Sequence, residues 1–162
     1  MSGAPAAPGE RPVYLDHNAT GPMRAPVAAV VVETASQVWG NPASPHGAGR
    51  AAAAVVDRAR GRLAAWLQRD PRELVFTSGA TEGNALVLNG LRTPGRPLVI
   101  CSAVEHPSVL AHADRTIPVD GRGLVDLAVL DALLSAEGTR AAVVSVMAAN
   151  NETGVMQPLH EI

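Results

Sequence analysis

Leu74-Val75-Phe76-Thr77-Ser78-Gly79-Ala80-Thr81-Glu82-Gly83-Asn84 reads as a short apolar strand, a turn of small residues and the opening of a helix. The first turn of a helix carries backbone N–H groups without intrahelical partners and the positive end of the peptide dipoles, so such an element can hold a phosphate. Gly79 and Ala80 allow close backbone approach, and Ser78 and Thr81 add hydroxyls. The same residues also read as an ordinary capped helix, with Ser78 as the cap and Thr81-Glu82 in the first turn.

Two later runs repeat the pattern. Pro97–Ser102 is apolar and delivers Glu105-His106-Pro107, and Ala141–Met147 delivers Asn150-Asn151-Glu152-Thr153-Gly154. Ligands of open α/β sheets sit beyond the carboxyl ends of the strands. Three consecutive runs ending in polar residues therefore predict one site assembled at one edge of a sheet.

Periodicity fills in the remainder. It predicts helices over 24–39, 49–68, 81–92, 107–113 and 126–136, and strands over 73–77, 97–102, 115–119 and 141–147, with a short extended segment at 13–16. In the second helix Val55, Val56, Ala59, Leu63, Trp66 and Leu67 recur at helical spacing as its inner face. Asp126 is a cap, and Pro158 suits the first position of a helix continuing through Leu159-His160-Glu161-Ile162. Alternation of this kind predicts an α/β fold with a mostly parallel sheet flanked by helices. No internal repeat or second domain boundary stands out over residues 13–162, and residues 1–12, MSGAPAAPGERP, read as a disordered tail. Gly47-Ala48-Gly49-Arg50-Ala51-Ala52 matches a dinucleotide fingerprint, but the loop Asn41–His46 precedes it where that motif needs a strand.

With 162 residues, the chain is long enough for one domain with a core. A net charge of −2 gives no reason to expect nucleic acid or an anionic membrane as partner. No apolar run has the length of a membrane span, and the start lacks a signal pattern. A single cysteine excludes an internal disulfide and fits a reducing cytoplasm. Cys101 lies inside an apolar run and reads as a small buried side chain. His46, His112 and His160 have no metal-ligand spacing, so no metal site is expected.

YLDHNAT, GNPAS, FTSGATE, EHP and NNETGV occur here in the order seen in cysteine desulfurases of the class V aminotransferase family, and from Val13 to Ile162 the chain resembles these proteins. The resemblance implies a fold type I enzyme dependent on pyridoxal phosphate (PLP). It would convert L-cysteine to alanine and pass a persulfide to a sulfur-acceptor or scaffold protein for iron–sulfur cluster or thio-cofactor assembly. Selenocysteine lyases and other class V enzymes share these motifs, and a non-catalytic remnant or interaction module is the alternative of a different class. A cytoplasmic homodimer is implied for the full-length form.

By the same resemblance, Ala80 and Thr81 bind the cofactor phosphate. The ring of His106 stacks on the pyridine and shuttles protons. Asn151 contacts the cofactor's 3-oxygen or the substrate carboxylate. Asn18 belongs to a segment at the active-site mouth, and Asn41 shapes the substrate pocket or the dimer contact. Their plain readings remain open: a turn histidine before Pro107, a turn asparagine at 151, a loop cap at 41.

All 13 basic residues are arginine. PLP enzymes hold the cofactor as a Schiff base to a lysine, and a guanidinium, protonated at any ordinary pH, cannot replace that amine. This chain alone cannot make the covalent link. It is expected to be the first part of the large domain, cut before the Schiff-base lysine and the sulfur-accepting cysteine.

Overall fold

The computed structural model describes residues 13–162. The expected tail, 1–12, lies outside the described residues. The chain divides into two compact units, one ending at Val75 and the other spanning Phe76–Ile162.

The first unit is helical. Helix α1 (Ala25–Gln37) starts with Pro26 in its first turn, where a missing N–H costs nothing. Helix α2 (Gly47–Leu67) is capped by His46, whose Nδ1 accepts the Gly49 N–H at 3.3 Å, and ends on Gln68 in the left-handed region at φ 55°. The inner face of α2 differs from the one predicted. Gly49, Ala52 and Ala64 are buried, while Trp66 is 79% exposed and Leu67 also faces solvent. Close backbone approach explains the difference. A Cβ on Gly49 would lie 2.2 Å from the Ser44 carbonyl oxygen, and one on Gly40 2.4 Å from that of Ala48, so loop 40–46 packs directly on the start of the helix. The glycines of the apparent dinucleotide fingerprint serve this packing.

The second unit is a parallel sheet in the order β2-β1-β3: β1 is Leu98–Ser102, β2 Arg115–Ile117 and β3 Ala141–Ser145. All five residues of β1 are buried, as a central parallel strand requires. Alternation sorts its side chains. Val99 and Cys101 pack with Leu88 of helix α3 (Ala80–Gly90) and Val109 of helix α4 (Pro107–Leu110). Ile100 packs with Ile117, Val125 and Leu130, the last on helix α5 (Leu127–Glu137). Helices thus cover both faces of the sheet, the α/β arrangement expected. Asp126 caps α5, its Oδ1 accepting the Ala128 and Val129 N–H groups. No helix among the described residues is long and apolar enough to cross a membrane.

Two predicted elements do not form. Residues 74–77 join no ladder, and Val75 is 75% exposed: apolar residues alone make no strand without a neighbouring edge to pair with. After Pro158 there is a turn, with the Glu161 N–H on the Pro158 carbonyl, because a single turn returns too few hydrogen bonds to offset its nucleation.

Arg92 and Asp114 tie the end of α3 to the sheet. The Arg92 guanidinium donates to Asp114 Oδ2 at 2.7 Å and to the Pro97 and His112 carbonyls, while Asp114 Oδ2 also accepts the Val99 N–H at 2.8 Å. The Val99 N–H first, and the Arg92 guanidinium with it, hold the Asp114 carboxyl below its ordinary value of 3.8. A depressed carboxyl contributes stability above its unfolded value and loses it as pH falls through the folded one. Asp114→Asn is therefore expected to lower stability at pH 7 and to flatten the loss of stability below about pH 4, as read by urea unfolding across pH.

Candidate functional site

Parallel pairing of β1 with β3 puts their carboxyl ends side by side, and both polar segments predicted from the sequence arrive there. His106 and Asn151 line one cavity of about 440 Å³ with Glu105, Pro107, Asn150 and Thr153.

His106 is placed by the start of α4. Its Nδ1 accepts the Ser108 N–H at 3.1 Å and lies 2.7 Å from Ser108 Oγ, which in turn accepts Asn84 Nδ2–H at 2.8 Å from α3. Pro107 has no N–H to satisfy at the first helical position, and an acceptor at 106 caps the next. Glu105 is buried, and its Oε1 accepts the Ser145 hydroxyl at 3.1 Å, which links the segment after β1 to the last residue of β3.

Asn150, which the sequence did not single out, organises the second segment. Its Oδ1 accepts the Glu152 and Thr153 N–H groups, each at 2.9 Å, and the Thr153 hydroxyl at 3.2 Å. Its Nδ2 donates to the Val104 carbonyl at 3.0 Å, holding the turn against the segment that carries His106. Gly154 closes the turn at φ 73°, a conformation that favours glycine. The signal was in the sequence: asparagine followed three residues on by threonine and then glycine is an Asx-turn pattern. Asn151 itself is exposed, with Nδ2 3.2 Å from Glu152 Oε1.

Ala80 and Thr81 form the first turn of α3. Gly79, not Ser78, is its N-cap, no side chain caps it, and nothing lies within 4 Å of a Cβ position on Gly79. The Ser78 donors are engaged differently from the expected cradle: Glu82 Oε2 accepts the Ser78 N–H at 2.6 Å and its hydroxyl at 2.7 Å. These two bonds, the hydroxyl's first, hold the Glu82 carboxyl below its ordinary range.

In the first unit, Asn18 lies in the turn after Asp16, whose carbonyl accepts the Ala19 and Thr20 N–H groups. Asn41 Oδ1 accepts the Ala43 N–H at 2.9 Å, the loop-cap geometry. Cys101 is buried, and that burial, with the charge of Glu105 second, pushes its thiol up to about 11, far from a reactive thiolate.

Comparison with known proteins follows the same boundaries. The model of the aminotransferase class-V family matches residues 13–162. A cysteine desulfurase of Sinorhizobium fredii (strain NBRC 101917 / NGR234) is 43% identical over 92% of this chain and 41% of its own length. The Homo sapiens selenocysteine lyase is 32% identical over 94% of this chain and 41% of its own. Among solved structures, a NifS-like protein superposes with a TM-score of 0.72 at 32% identity, covering 92% of this chain and 43% of that one. The chain spans about two fifths of the length of the curated relatives it matches. The match over nearly every described residue and the shared parallel-sheet fold establish that this chain belongs to the class-V aminotransferase family.

Proposed function

We propose that this chain supplies the non-covalent half of a PLP site in a cysteine desulfurase. The observation that carries the reading is the convergence of His106 and Asn151 on one cavity at the carboxyl ends of β1 and β3. Similarity to proteins named cysteine desulfurase supports the reaction.

The residues present meet the cofactor's non-covalent demands and not its covalent one. A phosphate ester would meet the uncapped backbone N–H groups of Ala80 and Thr81, with open space beside Gly79 and the Thr81 hydroxyl as a further donor. A charged Glu82 is already bonded to Ser78, which leaves Ser78 no role in the cradle. No lysine is available anywhere in the sequence for the covalent link. PLP, when bound, supplies an electron sink for charge developing at the substrate α-carbon. The work of this chain is to bind and orient. Ala80 and Thr81 would anchor the phosphate, the His106 imidazole would lie against the pyridine ring and exchange a proton at Nε2, and Asn151 would donate to the 3-oxygen or the substrate carboxylate.

The substrate is L-cysteine, the product alanine, and the sulfur leaves as a persulfide on a cysteine of another segment for transfer to an acceptor or scaffold protein. Residues 13–162 are the N-terminal part of the large domain of a cytoplasmic homodimer. A second reading, selenocysteine lyase, is supported by the similarity to the human protein of that name.

The test is to co-express the chain with a C-terminal polypeptide from a class-V relative that carries the lysine, purify the assembly, and measure alanine release from L-cysteine and L-selenocysteine. Alanine from cysteine supports the desulfurase, and alanine from selenocysteine alone supports the lyase. An assembly that releases alanine from neither overturns both. In an active assembly, Thr81→Ala is expected to weaken PLP retention by about 1.5–3 kcal/mol, the loss of a charge-assisted hydrogen bond, measured by dialysis against a PLP scavenger.

A further inference from the structure

We infer that Asn84 and Ser108 are positioning residues that lock His106 as the tautomer with its proton on Nε2. The inference rests on the reading of His106 as a site residue, and it adds the means by which the ring is held. A backbone N–H can only donate, so the Ser108 N–H at 3.1 Å from His106 Nδ1 biases that nitrogen toward accepting, and the side chains complete the lock. Ser108 Oγ, 2.7 Å from the same nitrogen, already accepts from Asn84 Nδ2 at 2.8 Å, and its own hydrogen is left to donate. Two donors therefore converge on Nδ1. A neutral imidazole carries one ring proton, which then sits on Nε2.

The chain of bonds also fixes where the ring stands. Asn84 lies within α3, packed against the same side of the sheet as α4, and Ser108 is buried at the second position of α4. Both supports sit on helices anchored in the core, while His106 itself is exposed at the cavity. Anchored supports that orient an exposed imidazole and choose its tautomer are the usual means of presenting one defined ring nitrogen to a ligand. Here the nitrogen presented is a donor, which suits contact with an oxygen or sulfur lone pair of an incoming amino acid.

Asn84→Asp is the most pointed variant. It replaces a donor by an acceptor, so the Ser108 hydroxyl turns toward position 84 and its oxygen lone pairs face Nδ1, favouring a proton there. Ser108→Ala removes the hydroxyl, and Ser108→Thr restores it.

The full 162-residue chain, labelled with ¹⁵N-histidine, is to be examined by long-range ¹H–¹⁵N correlation above about pH 8, where an imidazole is neutral. No cofactor is needed. The wild type is expected to give the Nε2–H pattern for His106, Ser108→Ala a mixture, Ser108→Thr the wild-type pattern, and Asn84→Asp a shift toward Nδ1–H. An unchanged signal from His112, in the same unit as His106, and a retained cooperative urea transition report that each variant is folded. Nδ1–H or an even mixture in the wild type overturns the inference. So does a His106 pattern that none of the folded variants moves. The measurement reads the ring alone, so failure here leaves the cofactor reading to its own test, and failure of the cofactor reading leaves this result intact.

Discussion

His106→Ala in an assembly that desulfurates L-cysteine is expected to lower turnover on the order of 10²–10⁴-fold, the range for loss of a positioned acid–base group. His106 also caps α4, and replacing a cap by alanine costs about 0.5–2 kcal/mol of stability. His106→Asn separates the two effects. Asparagine retains an N-cap acceptor but has no ring to stack and no proton to exchange. Both variants are expected to lose activity alike, while only the alanine variant melts earlier. Unchanged turnover in His106→Asn would remove the assigned role, and the steady-state rate of alanine release decides it.

Gly49→Ala is expected to destabilise the first unit by up to about 2 kcal/mol. The new Cβ would fall 2.2 Å from the Ser44 carbonyl oxygen and 2.8 Å from that of Asn41. Both are backbone atoms that cannot swing aside as the end of a side chain can. Overpacking of this kind costs about 1–3 kcal/mol, more than the roughly 1 kcal/mol that alanine gains over glycine within a helix. Gly61→Ala on the same helix is the control: nothing lies within 4 Å of its Cβ position, so only the propensity gain remains and stability should rise. Urea unfolding of the two variants should move the midpoint in opposite directions. Movement in the same direction would contradict the packing account of loop 40–46.

These contrasts show where the sequence was legible. Runs with a strict physical signature appeared where expected: β1 as an unbroken apolar run, Asp126 as the cap of α5, and Pro107 at the start of α4. What failed depended on partners that a local pattern does not carry. Residues 74–77 have the composition of a strand and no adjacent edge, and the apolar positions of α2 predicted an inner face that Gly49, Ala52 and Ala64 occupy instead. Motifs brought His106 and Asn151 into view, yet not the side chains that hold their segments. Ser108 and Asn84 are 24 residues apart, and Asn150 meets Val104 across 46, so only the folded sheet brings them together. The engagement of Ser78 by Glu82 was equally hidden, since the same letters spell either a phosphate cradle or a folded-back carboxylate.

We propose that this chain holds PLP through non-covalent contacts alone. The most direct measurement is equilibrium dialysis of the purified 162-residue chain against PLP, wild type beside Thr81→Ala, followed by borohydride reduction and mass spectrometry. Weak, reversible binding that inorganic phosphate competes away and Thr81→Ala diminishes, with no side-chain adduct after reduction, is the expected result. Tight stoichiometric binding that survives dialysis, or no difference between wild type and Thr81→Ala, would contradict it.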